Sequence, residues 1–193
     1  MTRKKDEELA IEHSLGEIAM EREQYPKALQ HFQRVAEIEP TNAEAWYNIA
    51  EAHNLLDNVE EAEANYTRAI ALEPEIIDYY TALSRMHMEH GQTSKARAVL
   101  EEGLRVNPGS AQLRAFLALA VSESGDYHKA EELLDEAERL DPDLDMVEMY
   151  RLLLNVNKTR QLPAVNKTRQ LPGASKTKQL PGLKNPKNRA RKK

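Results

Sequence analysis

Four prolines, Pro40, Pro74, Pro108 and Pro142, stand 34 residues apart, three intervals in succession. The only other proline before residue 160 is Pro26. Each member of the series closes a similar phrase, "EIEP", "ALEP", "RVNP" or "RLDP". A proline lacks the amide a helix interior needs and clashes with the preceding turn, so each phrase marks a helix end. A fixed period of this length constrains the fold more than any composition: the chain repeats one supersecondary unit, and each unit buries its apolar face against the next.

With the prolines set at position 32, other columns align. Position 20 is Ala28, Ala62, Ala96 and Ala130. Position 8 is Gly16, Ala50, Ser84 and Ala118, and position 27 is Val35, Ala69, Gly103 and Ala137. Large side chains fill position 24 (Phe32, Tyr66, Leu100, Leu134) and position 7 (Leu15, Ile49, Leu83, Leu117). Small columns let two antiparallel helices approach, and the large columns fill the space beside them. The turn between them falls near position 15, at Asp57, Gly91 and Gly125, where glycine supplies the left-handed conformation that ends a helix.

These columns resemble the tetratricopeptide repeat (TPR) pattern. The second repeat is the most similar, with Trp46, Ile49, Ala50, Ala62, Tyr66, Ala69 and Pro74. In the fourth, "GDYHKAEELLDEAERLDP" is close to the family's second helix. Two columns depart: position 4 is Glu12 and Arg114 in the first and fourth repeats, and position 11 is Ala19, His53, His87 and Val121, never Tyr. The resemblance covers residues 9–142 and implies an all-α, right-handed superhelical solenoid of four helix–turn–helix repeats. After Pro142 a stripe of Leu144, Val147, Tyr150 and Leu154 predicts a ninth, capping helix. The expected organisation is an N-terminal flank at 1–8, the repeats and cap at 9–154, and a tail at 155–193.

The resemblance also implies a concave groove lined by the first helix of each repeat. Positions 2, 5, 6 and 9 share one helical face. They are Ala10, His13, Ser14 and Glu17, then Glu44, Tyr47, Asn48 and Glu51, then Asp78, Thr81, Ala82 and Arg85, and finally Gln112, Ala115, Phe116 and Leu119. Four acids stand against one base, and the fourth repeat is mostly apolar. Tyr47, Asn48, Glu51, Asp78, Arg85 and Phe116 are the expected central contacts, with Tyr47 and Phe116 as aromatic anchors. TPR domains that grip the C-terminal carboxylate of chaperones carry Lys, Asn, Asn, Lys and Arg at set positions. This chain offers His13, Glu17, Asn48, Asp78 and Ala82 there, or Tyr47, Glu51, Ala82, Gln112 and Phe116 one repeat later. Only Asn48 fits, so a chaperone clamp is not expected.

Nothing in the chain points to catalysis: there is no cysteine, no Gly-x-Ser-x-Gly and no glycine-rich phosphate loop. His87 and His90 form an H-x-x-H pair, but position 11 is a packing position, so no metal or cofactor is expected. Absence of cysteine fits a reducing compartment, and a cytoplasmic protein is the expectation. The N-terminus has no apolar run of the secretory kind, so the Asn-x-Thr matches at Asn65, Asn157 and Asn166 are read as chance.

The net charge of −5 conceals a split. Residues 1–154 hold 15 Lys plus Arg against all 32 Asp plus Glu, whereas residues 155–193 hold 12 Lys plus Arg and no acid. The tail writes one nine-residue phrase three times, "VNKTRQLPA VNKTRQLPG ASKTKQLPG". Regular prolines and scarce apolar residues predict disorder. The reading is a non-enzymatic adaptor that binds a basic or mixed-charge peptide or protein segment in an acidic groove. The tail is then an autoregulatory or second interaction element, with self-association as one use. The alternative is a nucleic-acid- or ribosome-associated factor that binds through the tail. No membrane is implicated.

Overall fold

A computed structural model describes residues 2–161. Among them are nine α-helices and no strand: α1 (Thr2–Glu21), α2 (Tyr25–Ile38), α3 (Ala43–Leu55), α4 (Val59–Leu72), α5 (Ile77–Glu89), α6 (Thr93–Val106), α7 (Ala111–Glu123), α8 (Tyr127–Leu140) and α9 (Asp145–Gln161). Each helix packs on the next, and α9 packs on both α7 and α8. This is the expected all-α solenoid of four helix pairs and a capping helix.

The repeated columns set these elements. Helices α2, α4, α6 and α8 each stop two residues before a proline of the series. Position 15 takes positive φ in all four turns, at Glu23 (57°), Asp57 (62°), Gly91 (68°) and Gly125 (86°). In the first three, the next amide donates back across the helix end: Gln24 to the Ala19 carbonyl, Asn58 to His53 and Gln92 to His87, at 2.8, 2.9 and 2.7 Å. That bond satisfies a carbonyl the helix leaves open. Side chains of Asn42, Ser110 and Asp126 cap α3, α7 and α8 by accepting from amides three residues on.

Small columns mark close approach. A Cβ at Gly16 would stand 2.5 Å from the Phe32 ring, so α1 and α2 meet there only because the residue is glycine. Position 4 ties repeats together by polar bonds. The Trp46 indole donates to the Pro40 carbonyl (2.9 Å) and the Tyr80 hydroxyl to the Pro74 carbonyl (3.0 Å). The two departures at this position instead join the two helices of their own repeat. Glu12 meets Nδ1 of His31 at 2.7 Å, and Arg114 donates to Glu136 at 3.2 Å.

Two boundaries differ from the sequence reading. The flank placed at 1–8 lies within α1 from Thr2 onward, held to α2 by an Arg34–Glu8 ion pair of 2.6 Å. The tail placed from Asn155 begins inside α9, which runs to Gln161. Composition suggested irregular chain there, but no proline interrupts residues 143–162, and Pro163 disfavours the helical conformation only at the residue before it. The rest of the tail, with its second and third phrases, lies outside the described residues.

Candidate functional site

The polar residues singled out on α3 and α5 meet at one junction. Glu51 and Arg85 occupy the same column one repeat apart, and Nη2 of Arg85 lies 3.3 Å from Glu51. Glu51 also accepts the hydroxyl of Tyr66, whose ring is fully buried on α4. Tyr47 is half-buried, stacks on Tyr79 with centroids 5.2 Å apart and tilts against Tyr66 at 5.9 Å. Burial, then the charge of Glu51, pushes the Tyr47 phenol up to about 12. The same two causes raise Tyr66 further. Both phenols therefore stay neutral donors at physiological pH.

Beside this cluster an open cavity of about 480 Å³ lies between the N-terminal ends of α3 and α5. Its walls include Tyr47, Tyr79 and four carboxylates, Glu39, Glu44, Glu73 and Asp78, and no Lys or Arg. Glu39 accepts from Asn42 at 3.3 Å, and Glu44 lies 3.6 Å from Nε2 of His13. Asp78 is exposed at the rim. A second cavity, about 610 Å³, opens beside α9, where one basic side chain already stands among the carboxylates. Arg151 in its wall pairs with Glu138 at 3.1 Å and with neighbouring Asp135 at 2.8 Å.

The other candidates fall elsewhere. Asn48 is half-buried on α3 and does not line the α3–α5 cavity. Phe116 sits two repeats along on α7, half-buried and edge-on to Tyr150 of α9 at 5.8 Å. The structure thus joins Tyr47, Glu51, Asp78 and Arg85 and leaves Phe116 apart. Sequence reasoning missed Tyr79, Tyr66, Glu39 and Glu73. The two glutamates are the acids of "EIEP" and "ALEP", read only as helix stops. His87 is buried, with Nδ1 2.9 Å from Oε1 of Gln92, while His90 is exposed near Asp57. Among the described residues no group of three His, Asp or Glu is placed to hold a metal. No helix there is long and apolar enough to cross a membrane.

Residues 19–86 and 87–154 each match the tetratricopeptide repeat family. The chain belongs to that family. The family's arrays are protein-interaction scaffolds, and the relatives agree with the fold. A tetratricopeptide repeat-containing protein of Caenorhabditis elegans, trd-1, is 26% identical over 87 residues, 45% of this chain but only 11% of that protein. A thermophilic TPR protein of Thermus thermophilus, TTC0263, is 26% identical with a TM-score of 0.62, over 79% of this chain and 84% of its own. PilF of Pseudomonas aeruginosa superposes with a TM-score of 0.66 at 18% identity, over 81% of this chain and 72% of its own.

Proposed function

We propose that this chain is a non-enzymatic cytoplasmic adaptor whose α3–α5 face holds a basic or mixed-charge segment of a partner protein. The cavity walled by four carboxylates and the stacked Tyr47–Tyr79 pair carries the reading. A Lys or Arg side chain entering it meets negative charge and an aromatic face together, a pairing that favours cations by about 0.5–2 kcal/mol per ring contact. Arg85 already neutralises Glu51, so Glu44 and Asp78 carry more of the attraction than Glu51 does. Phe116 offers a separate apolar contact to an extended ligand. The basic tail is of the right charge to compete for the same cavity, which makes it an autoregulatory or second interaction element.

The nine-residue peptide VNKTRQLPG, titrated by NMR, tests this. Binding is expected in the full chain, tighter in a chain ending at Gln161, weaker as salt rises, and lost in a Glu44→Lys, Asp78→Lys double variant. Equal binding by the double variant would show the cavity reading to be wrong. The twelve cations of the tail support a second reading, nucleic-acid binding. An RNA oligonucleotide held by the full chain but not by the chain ending at Gln161 would favour it.

A further inference from the structure

Two apolar stripes at opposite ends of the described array are uncovered. On α1, Ile11, Leu15 and Ile18 are 59%, 40% and 42% exposed. On α9, Met149, Leu152 and Val156 are 53%, 62% and 59% exposed. Each spans eight residues with helical spacing, about 10 Å of helix from first to last.

The 34-residue period says what such stripes meet. The columns of Ile11, Leu15 and Ile18 hold Ala45, Ile49 and Ala52 in α3, at most 2% exposed. In α5 and α7 the same columns are buried as well, because each of those helices packs on the helix before it. The α1 stripe is therefore a repeat–repeat contact face, with no described helix preceding it. At the other end, Met149, Leu152 and Val156 occupy the columns of Ala115, Ala118 and Ser122 in α7, all at most 1% exposed beneath the helices that follow. The α9 stripe is a contact face with no described helix after it.

We propose that the two faces meet: α1 of one copy lies antiparallel on α9 of another, in the place of the helix that would follow α9. In one register Ile18 faces Met149, Leu15 faces Leu152 and Ile11 faces Val156. The same register sets Arg22, one turn beyond Ile18, against Asp145, one turn before Met149. Both are exposed, and neither makes an ion pair with another described residue. A pairing of α9 with α9 would leave the α1 stripe in water, whereas the head-to-tail contact covers both. Such a contact is heterologous, so it propagates into open or ring-closed oligomers rather than stopping at two.

End-blocked full-length chains test this by light scattering after gel filtration. The unmodified chain is expected to gain average mass as concentration rises. Leu15→Glu, Ile18→Glu blocks α1, and Leu152→Glu, Val156→Glu blocks α9. All four positions are exposed, so helicity by circular dichroism should hold. Each variant alone should be monomeric, and an equal mixture should form a complex of two copies and nothing larger. Because the chain has no cysteine, an Ile18→Cys, Met149→Cys variant should also give a ladder of disulfide-linked oligomers on mild oxidation. An unmodified chain that stays monomeric, or an α1-blocked variant that still self-associates, would overturn the proposal.

Discussion

The two halves of the described array share one backbone plan and hold together differently. From α5 to α9 a single large apolar cluster runs through Tyr80, Leu100, Leu113, Leu117, Leu134, Val147, Tyr150 and Leu154. From α1 to α5 the buried residues fall into three smaller clusters. Polar links, Tyr66 to Glu51 and Arg85 to Glu51, join α3, α4 and α5 beside one of these clusters. Position 24 shows the change in one column: Phe32 and Tyr66 in the first half, Leu100 and Leu134 in the second. In a stacked array, stability is close to a sum of nearest-neighbour terms. Cohesion can therefore concentrate at one end and recognition chemistry at the other.

The comparison breaks most visibly at α9. Tyr150 is 9% exposed and anchors the cap on Phe116. Tyr150→Ala should cost about 3–5 kcal/mol, the range for emptying an aromatic site. Hydrogen exchange should then rise in α8 and α9 while α1–α4 keep their protection. Equal loss at both ends would mean one cooperative unit and no division of labour. In the polar half, Glu51→Ala strands the buried Tyr66 hydroxyl and should cost about 1–3 kcal/mol. The same change in a Tyr66→Phe background should cost less, and denaturation of the four proteins measures that coupling. Full additivity would mean the Tyr66–Glu51 bond does not hold this junction.

Most of the fold was legible because the period fixes it. Proline, small and large columns each encode one geometric demand, repeated four times. The turn residues Asp57, Gly91 and Gly125 follow from the same register, and Glu23 completes the column with a residue no propensity would place at positive φ. The site was legible only in part. Positions on first helices located Tyr47, Glu44 and Asp78. Glu39 and Glu73 reach the cavity from the ends of second helices, and their acids were hidden inside a stop signal. Tyr66 sits in a packing column, and nothing in its spacing says that its hydroxyl crosses to Glu51. The α9 extension was missed because the repeated phrase was read by composition, while its first proline comes only at 163.

His87 gives the polar half a pH signature. Burial, the first cause, lowers its folded-state pKa from the ordinary 6.5 despite Glu63 at 3.9 Å and the Gln92 bond; Lys95 and His90 push it the same way as burial. The folded state therefore binds fewer protons here than the unfolded state does. Its contribution is complete above about pH 6.5 and is lost as pH falls through the folded value. Denaturant midpoints should drop between pH 7 and 5, and His87→Gln should flatten part of that slope. An unchanged slope would assign the effect to the carboxylates instead.

The smallest effect concerns the turns. The first half places Glu23 and Asp57 where the second places Gly91 and Gly125, all with positive φ. An L-residue there costs roughly 1–2 kcal/mol, partly offset because glycine loses more freedom on folding. Glu23→Gly should therefore stabilise the chain by about 0.5 kcal/mol, and Gly91→Ala should destabilise it by a similar amount. A Cβ at Gly91 meets nothing within 4 Å, so crowding cannot supply the second effect, and only the backbone conformation can. Thermal midpoints moving in opposite directions would show that the first half carries turn strain the second avoids. If Glu23→Gly leaves the midpoint unchanged or lowers it, the two halves differ in core and site chemistry but not in the economy of their turns.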